Sequence, residues 1–251
     1  MNSGRCASRL DRGDRLHDVR MERVLEGLRE SPKRIEPIWF YDPRGSALFE
    51  RICTAPEYYL TRTELGIMRA SAREMAAALG PRVVLIEPGS GASLKTRLLL
   101  EALRAPRAYV PVDISREHLM ATTRLLRDDF PLLPVYPVCA DFTEAFALPA
   151  AALQRETRRV VYFPGSTLGN FARSAAIDLL QWMRAMAGTS GAVLLGIDRV
   201  KPAATIERAY NDAAGLTAEF NLNALRHLNR ELGADFDPGA FAHRAPWVPD
   251  H

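Results

Sequence analysis

Two closely spaced glycines follow the apolar start of the stretch VVLIEPGSGASLKT, residues 83–96. Gly89 and Gly91 come just after Glu87, and a segment with helical spacing follows them. Glycine lets the backbone approach a bound ligand where a Cβ atom would clash. A dinucleotide site needs a third glycine in the pattern G-x-G-x-x-G, and that position is Leu94. The turn is therefore a poor candidate for holding a pyrophosphate.

Acidic residues follow the next two strand-like segments. Asp113 comes after residues 108–112, about 20 residues beyond the glycines, where a carboxylate can accept hydrogen bonds from both hydroxyls of a ribose. Asp141 comes after residues 135–138, where it could accept from an adenine amino group while Phe142 packs on the ring. Each could instead cap a helix or fill the core, but together they predict a nucleoside site.

The glycine turn also matches a pattern found in enzymes. The order acid-x-G-x-G resembles the first motif of class I S-adenosylmethionine-dependent methyltransferases, in which the turn holds the amino-acid part of the cofactor. The loop GSTLGN, ending at Asn170, follows the fourth strand-like segment and would face the transferred methyl group. The N/D-P-P-Y/F motif of nucleic-acid amino-methyltransferases is absent, and Cys139 follows a valine rather than the proline of cytosine C5 enzymes. A small-molecule substrate is favoured.

Strand-like and helical segments alternate through the middle of the chain. The strand-like segments are 83–86, 108–112, 135–138, 160–163 and 193–197, and the helical ones are 94–103, 116–129 and 175–187. This alternation predicts an α/β fold, a Rossmann-like, mostly parallel sheet with helices on both faces. Ligands bind beyond the carboxyl ends of the strands in such a sheet, so we expect the residues described above to meet at one edge.

Helical patterns also flank this region. Apolar residues spaced by three and four predict an amphipathic helix over 16–30, and Thr61 or Thr63 could cap a helix running to about Leu79. Residues 203–232 look helical in two pieces divided near Gly215. Residues 1–15 are polar and are expected to be disordered.

Composition limits the function classes. The 251 residues are 47% hydrophobic with a net charge of +3, which fits one large core, or one core with a small second lobe, and disfavours nucleic acid as a partner. The three cysteines are far apart, so a disulfide framework or a zinc site is not expected, and a reducing cytoplasm fits best. The five histidines lack metal-ligand spacing, and no apolar run approaches the roughly 20 residues that span a bilayer.

Longer matches make the resemblance more specific. From about Pro32 to Trp247 the chain resembles the histidine-specific N-alpha-methyltransferases of ergothioneine biosynthesis, which convert L-histidine to hercynine. The resemblance rests on WFYDPRGSALFERI, PEYYLTRTE, EPGSGASLKTRLLL, VPVDIS, CADF, GSTLGNF, LLGIDRVK, AYNDAAGLTAEFNLNAL and NRELGADFDPGAF.

The resemblance implies a cofactor, a substrate and residues for each. The residues that match family contacts to S-adenosylmethionine are Tyr41, Gly89, Lys95, Asp113, Asp141 and Phe142. Tyr58 matches a tyrosine beside the substrate imidazole, and Asn170 with Tyr210 matches the pair that holds the substrate carboxylate. The sequence indicates no catalytic base, and no metal site is expected. A monomer acting on L-histidine, with no membrane or nucleic-acid partner, is expected.

The resemblance also implies two lobes. Residues 61–198 would form the methyltransferase domain, and residues 16–60 with 199–251 would form the substrate-binding lobe. Family members continue past the point where this chain ends, with a glutamate and a serine that read the imidazole, so the lobe is expected to be incomplete. Two readings therefore stay open: methylation of another amino acid such as tryptophan or tyrosine, and a fragment that binds cofactor without turnover. A nicotinamide dehydrogenase is disfavoured by Leu94.

Overall fold

A parallel β-sheet forms the centre of the protein. The computed structural model describes residues 18–144, 146–153 and 157–248, so the expectation for residues 1–15 lies outside the described residues. Within them the sheet has five strands in the order β3-β2-β1-β4-β5, all paired in parallel. The strands are Val83–Pro88 (β1), Ala108–Asp113 (β2), Val138–Cys139 (β3), Arg158–Phe163 (β4) and Ala192–Leu195 (β5). The predicted α/β fold is confirmed.

The central strand is buried on both faces. The apolar residues at positions 83–86 are at most 1% exposed. Successive side chains of a strand point to opposite faces, so Leu85 packs against Leu99 on one side while Ile86 packs against Val110 on the other. Each such side chain stabilises the fold by about 1.5–3 kcal/mol. The edge strand β5 is less well covered, since Val193 is 37% exposed there.

Helices surround the sheet and continue beyond it. They are residues 18–29 (α1), Pro43–Thr54 (α2), Tyr59–Leu79 (α3), Leu94–Ala102 (α4), Arg116–Asp129 (α5), Arg173–Ala187 (α6), Ala203–Tyr210 (α7) and Leu216–Leu232 (α8). Because α3 already begins at Tyr59, neither Thr61 nor Thr63 caps it, contrary to the expectation. None of the helices in the described ranges is both long and apolar enough to cross a bilayer.

The third strand is shorter than the sequence predicts and begins later. The segment 135–138 was expected to be extended, but β3 is only Val138–Cys139, and Val135 forms an isolated bridge to Tyr109. Pro134 and Pro137 explain the difference, since proline has no N–H to donate to a ladder.

The N-terminal helices pack against α8, far along the chain. Val24 of α1 and Trp39 lie in one buried cluster with Leu228 of α8. Asp42 accepts a hydrogen bond from Gly45 N at the start of α2, and it also accepts one from Asn223 Nδ2 of α8 across 2.7 Å. The segments before and after the sheet therefore pack together as a helical cluster.

Candidate functional site

The turn after β1 lies at the carboxyl edge of the sheet. Its backbone is fixed to β2, because the N–H groups of Gly89 and Ser90 both donate to the carbonyl of Val112. Gly89 has φ +68°, and a Cβ atom added there would lie 3.4 Å from Phe142 Cε1. Glycine thus allows a left-handed turn to rest against the ring from the β3 loop. The structure brings these two predicted residues together.

Asp113 ends β2 with both of its carboxylate oxygens held. Oδ2 accepts from Gly91 N across 3.0 Å, and Oδ1 accepts from Ser115 N across 2.9 Å. Ser115 precedes α5, but its side chain makes no capping bond. Each oxygen keeps a lone pair, so this carboxylate can still accept from ribose hydroxyls in a fixed orientation.

The loop after β3 places Asp141 close to Asp113 at the end of β2. Asp113 and Cys139 are in register, and Asp141 follows two residues later. Oδ1 of Asp141 accepts from the backbone and the hydroxyl of Thr143, so part of this carboxylate does form a local cap. The ring of Phe142 packs edge-on against Phe163, with ring centroids 5.6 Å apart. The structural and the ligand-binding interpretations of this pair are therefore compatible.

Two more predicted cofactor residues border this edge. Burial, and then the charge of Asp113, raises the pKa of Tyr41 to about 12, so Tyr41 stays a neutral hydroxyl close to that carboxylate. Lys95, in the first turn of α4, forms an ion pair with Glu64 across 2.7 Å. Tyr41 therefore lies near the end of β2, and Lys95 lies in the helix that directly follows the turn at Gly89.

Two of the three predicted substrate residues lie in an aromatic region. Tyr58 and Tyr210 meet edge-on with ring centroids 5.8 Å apart, and Phe49 packs against Tyr58. Burial is the main cause that raises the pKa of both tyrosines, which keeps them as neutral donors. Asn170 ends the short 3-10 helix Thr167–Asn170 after β4, and its side chain is exposed.

Several residues at this edge were missed by sequence reasoning. Glu64 accepts from Gly165 N, and Asp198 accepts from the hydroxyl of Tyr59 across 2.5 Å. The partners are separated by 101 and 139 residues, so no local pattern reveals them. A cavity of about 210 Å³ opens beside Glu64 and Asp198, between α3 and the ends of β4 and β5.

The residues at the edge fit S-adenosylmethionine. A glycine-opened turn, an oriented carboxylate and an aromatic ring lie at the ends of three adjacent strands, β1, β2 and β3, as a nucleoside with an amino-acid tail requires. No group of three or more His, Cys, Asp or Glu side chains in the described part of the chain could hold a metal ion. Fold and site together define a class I S-adenosylmethionine-dependent methyltransferase.

Comparison with known proteins narrows the class. A profile described as histidine-specific, SAM-dependent methyltransferase matches residues 20–251. The histidine N-alpha-methyltransferase of Mycobacterium tuberculosis is 42% identical over 227 residues, covering 89% of this chain and 69% of that protein. The Mycolicibacterium smegmatis protein of the same name is 41% identical, covering 90% and 70%. Ergothioneine biosynthesis protein 1 of Neurospora crassa is 34% identical, covering 82% and 24%. The chain belongs to the family of histidine-specific, S-adenosylmethionine-dependent methyltransferases.

Proposed function

We propose that this protein methylates the α-amine of L-histidine to give hercynine, a step of ergothioneine biosynthesis. The observation that carries the proposal is the meeting of Gly89, Asp113 and Phe142 at one edge of the sheet. Family membership supports histidine as the substrate, since the relatives described above carry that activity in their names.

Each side of the site has its own task in this proposal. Bound S-adenosylmethionine supplies a methyl group on a sulfonium cation, which also lowers the pKa of a nearby ammonium because like charges disfavour the protonated form. The residues proposed to hold it are Tyr41, Gly89, Lys95, Asp113, Asp141 and Phe142. No side chain is assigned as a proton acceptor.

The substrate side fixes the amine. Asn170 and Tyr210 are neutral donors suited to the substrate carboxylate, and Tyr58 lies beside Tyr210 where it can contact the imidazole. Holding the backbone of the amino acid points its amine in one direction, and such positioning can supply roughly 7–11 kcal/mol of the barrier reduction.

The helical cluster belongs to the same proposal. Residues 16–60 and 199–251 would form the substrate-binding lobe, and residues 61–198 the cofactor domain. Packing of α2 against α8 through Asp42 and Asn223 supports this division. We propose that the protein works as a monomer in the cytoplasm, on a small molecule and without nucleic acid.

Turnover with defined substrates tests the proposal. The purified protein is incubated with S-adenosylmethionine and L-histidine, L-tryptophan or L-tyrosine, and the products are identified by mass spectrometry. We expect methylated histidine only, and less of it from Asp113→Ala when the cofactor is limiting. Methylation of tryptophan or tyrosine alone would favour the other-amino-acid reading. Cofactor binding with no product from any of the three would favour an inactive fragment.

A further inference from the structure

One carboxylate of α3 bridges helix α4 and the loop after β4 at the carboxyl edge of the sheet. Glu64 pairs with Lys95 Nζ across 2.7 Å through Oε2. The backbone N–H of Gly165 donates to both Glu64 oxygens, across 2.9 and 3.0 Å. The side chains of Glu64 and Lys95 are only 16% and 19% exposed, so solvent screens this ion pair less than a surface pair.

A side chain at either of two neighbouring glycines would press on this ion pair. A Cβ atom at Gly196, just after β5, would lie 2.0 Å from Glu64 Oε1. A Cβ atom at Gly165 would lie 3.2 Å from Lys95 Nζ, and the φ of +82° at Gly165 also favours glycine. The ends of β4 and β5 are therefore shaped around the carboxylate and its partner.

The helix and the loop that Glu64 joins belong to different halves of the proposed site. Lys95 lies in the first turn of α4, directly after the cofactor turn. Gly165 opens the loop after β4 that leads to Asn170, the proposed partner of the substrate carboxylate. Methyl transfer requires the acceptor nitrogen to lie in line with the breaking bond, and a misplacement of about 1 Å can cost 100-fold in rate. A rigid connection between this helix and this loop would therefore fix the distance that matters.

We propose that Glu64 is a positioning residue for methyl transfer, and that it acts by tying the cofactor helix to the substrate loop rather than by touching either ligand. The expected loss of methyl-transfer rate rests on the proposed function. A positioning role and a purely stabilising ion pair predict different results. An ion pair that only stabilises the fold would change the free energy of unfolding and leave the kinetics of the folded enzyme alone.

Three variants of α3 test this. Glu64→Ala removes both contacts, Glu64→Gln keeps an oxygen for Gly165 N but loses the charge that faces Lys95, and Glu74→Gln changes an exposed glutamate of the same helix as a matched control. We expect Glu64→Ala to lower kcat about 10- to 100-fold, with KM for both substrates and the affinity for S-adenosylhomocysteine changed by less than about threefold. Glu64→Gln should fall between wild type and Glu64→Ala. Glu74→Gln should match wild type.

Hydrogen exchange gives a second readout that does not need turnover. Peptides covering residues 163–171 should exchange faster in Glu64→Ala than in wild type, and Glu74→Gln should leave them unchanged. Should wild type fail to methylate histidine, the proposed function falls, while this exchange still decides whether Glu64 holds the substrate loop. Unchanged kcat in Glu64→Ala, or unchanged exchange of the loop, would overturn the inference. A loss of cofactor affinity as large as the loss of rate would also overturn it, since Glu64 would then act on cofactor binding, directly or through Lys95.

Gly196→Ala provides an independent variant in case Glu64→Ala does not fold. The new methyl group would displace the Glu64 carboxylate, so kcat should fall as it does in Glu64→Ala. In a Glu64→Ala background the same substitution should cost less, because the clashing atom is gone. Strictly additive losses would contradict the proposed role.

Discussion

The hydroxyl of Tyr109 donates a hydrogen bond to Oε2 of Glu87 across 2.5 Å, and the hydroxyl of Thr96 donates to the same oxygen across 2.6 Å. Glu87 is 2% exposed and stands two residues before Gly89, so it supports the cofactor turn from within the core. Burial raises the pKa of Glu87 to about 7, even though both hydrogen bonds favour the ionised form. The turn therefore rests on a carboxyl group that titrates near neutral pH.

Glu87→Gln should change how stability depends on pH. The pKa of Glu87 in the folded state lies above its ordinary value of 4.5, so its contribution is present below that value and is lost as the pH rises through about 7. Glutamine cannot ionise. Between pH 4.5 and pH 8, wild type should therefore lose about 3 kcal/mol of unfolding free energy relative to Glu87→Gln. Urea unfolding at both pH values measures it, with Glu101→Gln on the exposed face of α4 as control. A difference that is independent of pH would contradict this prediction.

Asp113→Ala should weaken cofactor binding by more than about tenfold, since a hydrogen bond to a charged group contributes about 1.5–3 kcal/mol. The substitution also frees the N–H of Gly91, which Asp113 now holds. Asp113→Asn keeps one acceptor oxygen and should bind with intermediate affinity. Calorimetry with S-adenosylhomocysteine measures the effect, and Asp128→Ala on the exposed side of α5 is the control. Near-native affinity in Asp113→Ala would contradict the proposal that Asp113 accepts hydrogen bonds from the ribose.

Asn170→Ala should raise KM for histidine by about tenfold, because the substrate carboxylate loses a donor. The affinity for S-adenosylhomocysteine should stay within about twofold, since Asn170 follows β4 and not the cofactor turn. Steady-state kinetics and calorimetry on the same sample separate the two effects. Gln181→Ala removes an exposed amide from α6 and should change neither. If both quantities worsen together, the variant has lost its fold and Asn170 is not a specific contact.

The position of the proposed cofactor site was predictable because the carboxyl ends of parallel strands lie at the same edge of the sheet. Gly89, Asp113 and Phe142 each follow an apolar segment, so knowing the fold was enough to bring them together. The prediction for β3 began three residues too early, because it followed the apolar residues of the segment 135–138. The prolines at positions 134 and 137 interrupt strand pairing there.

Side-chain contacts between elements far apart in the sequence could not be predicted in this way. Lys95 stood out as one of only three lysines, but nothing in the sequence pairs it with Glu64. That contact depends on how α3 lies across the ends of β4 and β5, which is set by packing and not by local spacing. The same holds for Tyr58 and Tyr210, which came from the family resemblance and whose contact depends on how α7 is placed.

Asp42→Ala should destabilise the protein by about 2–4 kcal/mol, because it removes a helix cap and leaves a buried amide unpaired. Asp42 caps α2 through Gly45 N and accepts from Asn223 Nδ2 across 2.7 Å, and Arg230 adds a half-exposed ion pair that solvent screens. Burial alone would raise the pKa of Asp42, but these bonds outweigh it and the net pKa lies below the ordinary value.

The pH dependence of this site has the opposite sign to that of Glu87. A lowered pKa means that Asp42 contributes stability above its unfolded pKa of about 3.9, and that this contribution is lost as the pH falls through the folded value. The advantage of wild type over Asp42→Asn in urea unfolding should therefore shrink as the pH is lowered below about 4. Asp235→Ala, an exposed position after α8, should cost less than about 0.5 kcal/mol. If Asp42→Ala were as stable as this control, α2 and α8 would be held together by apolar packing alone.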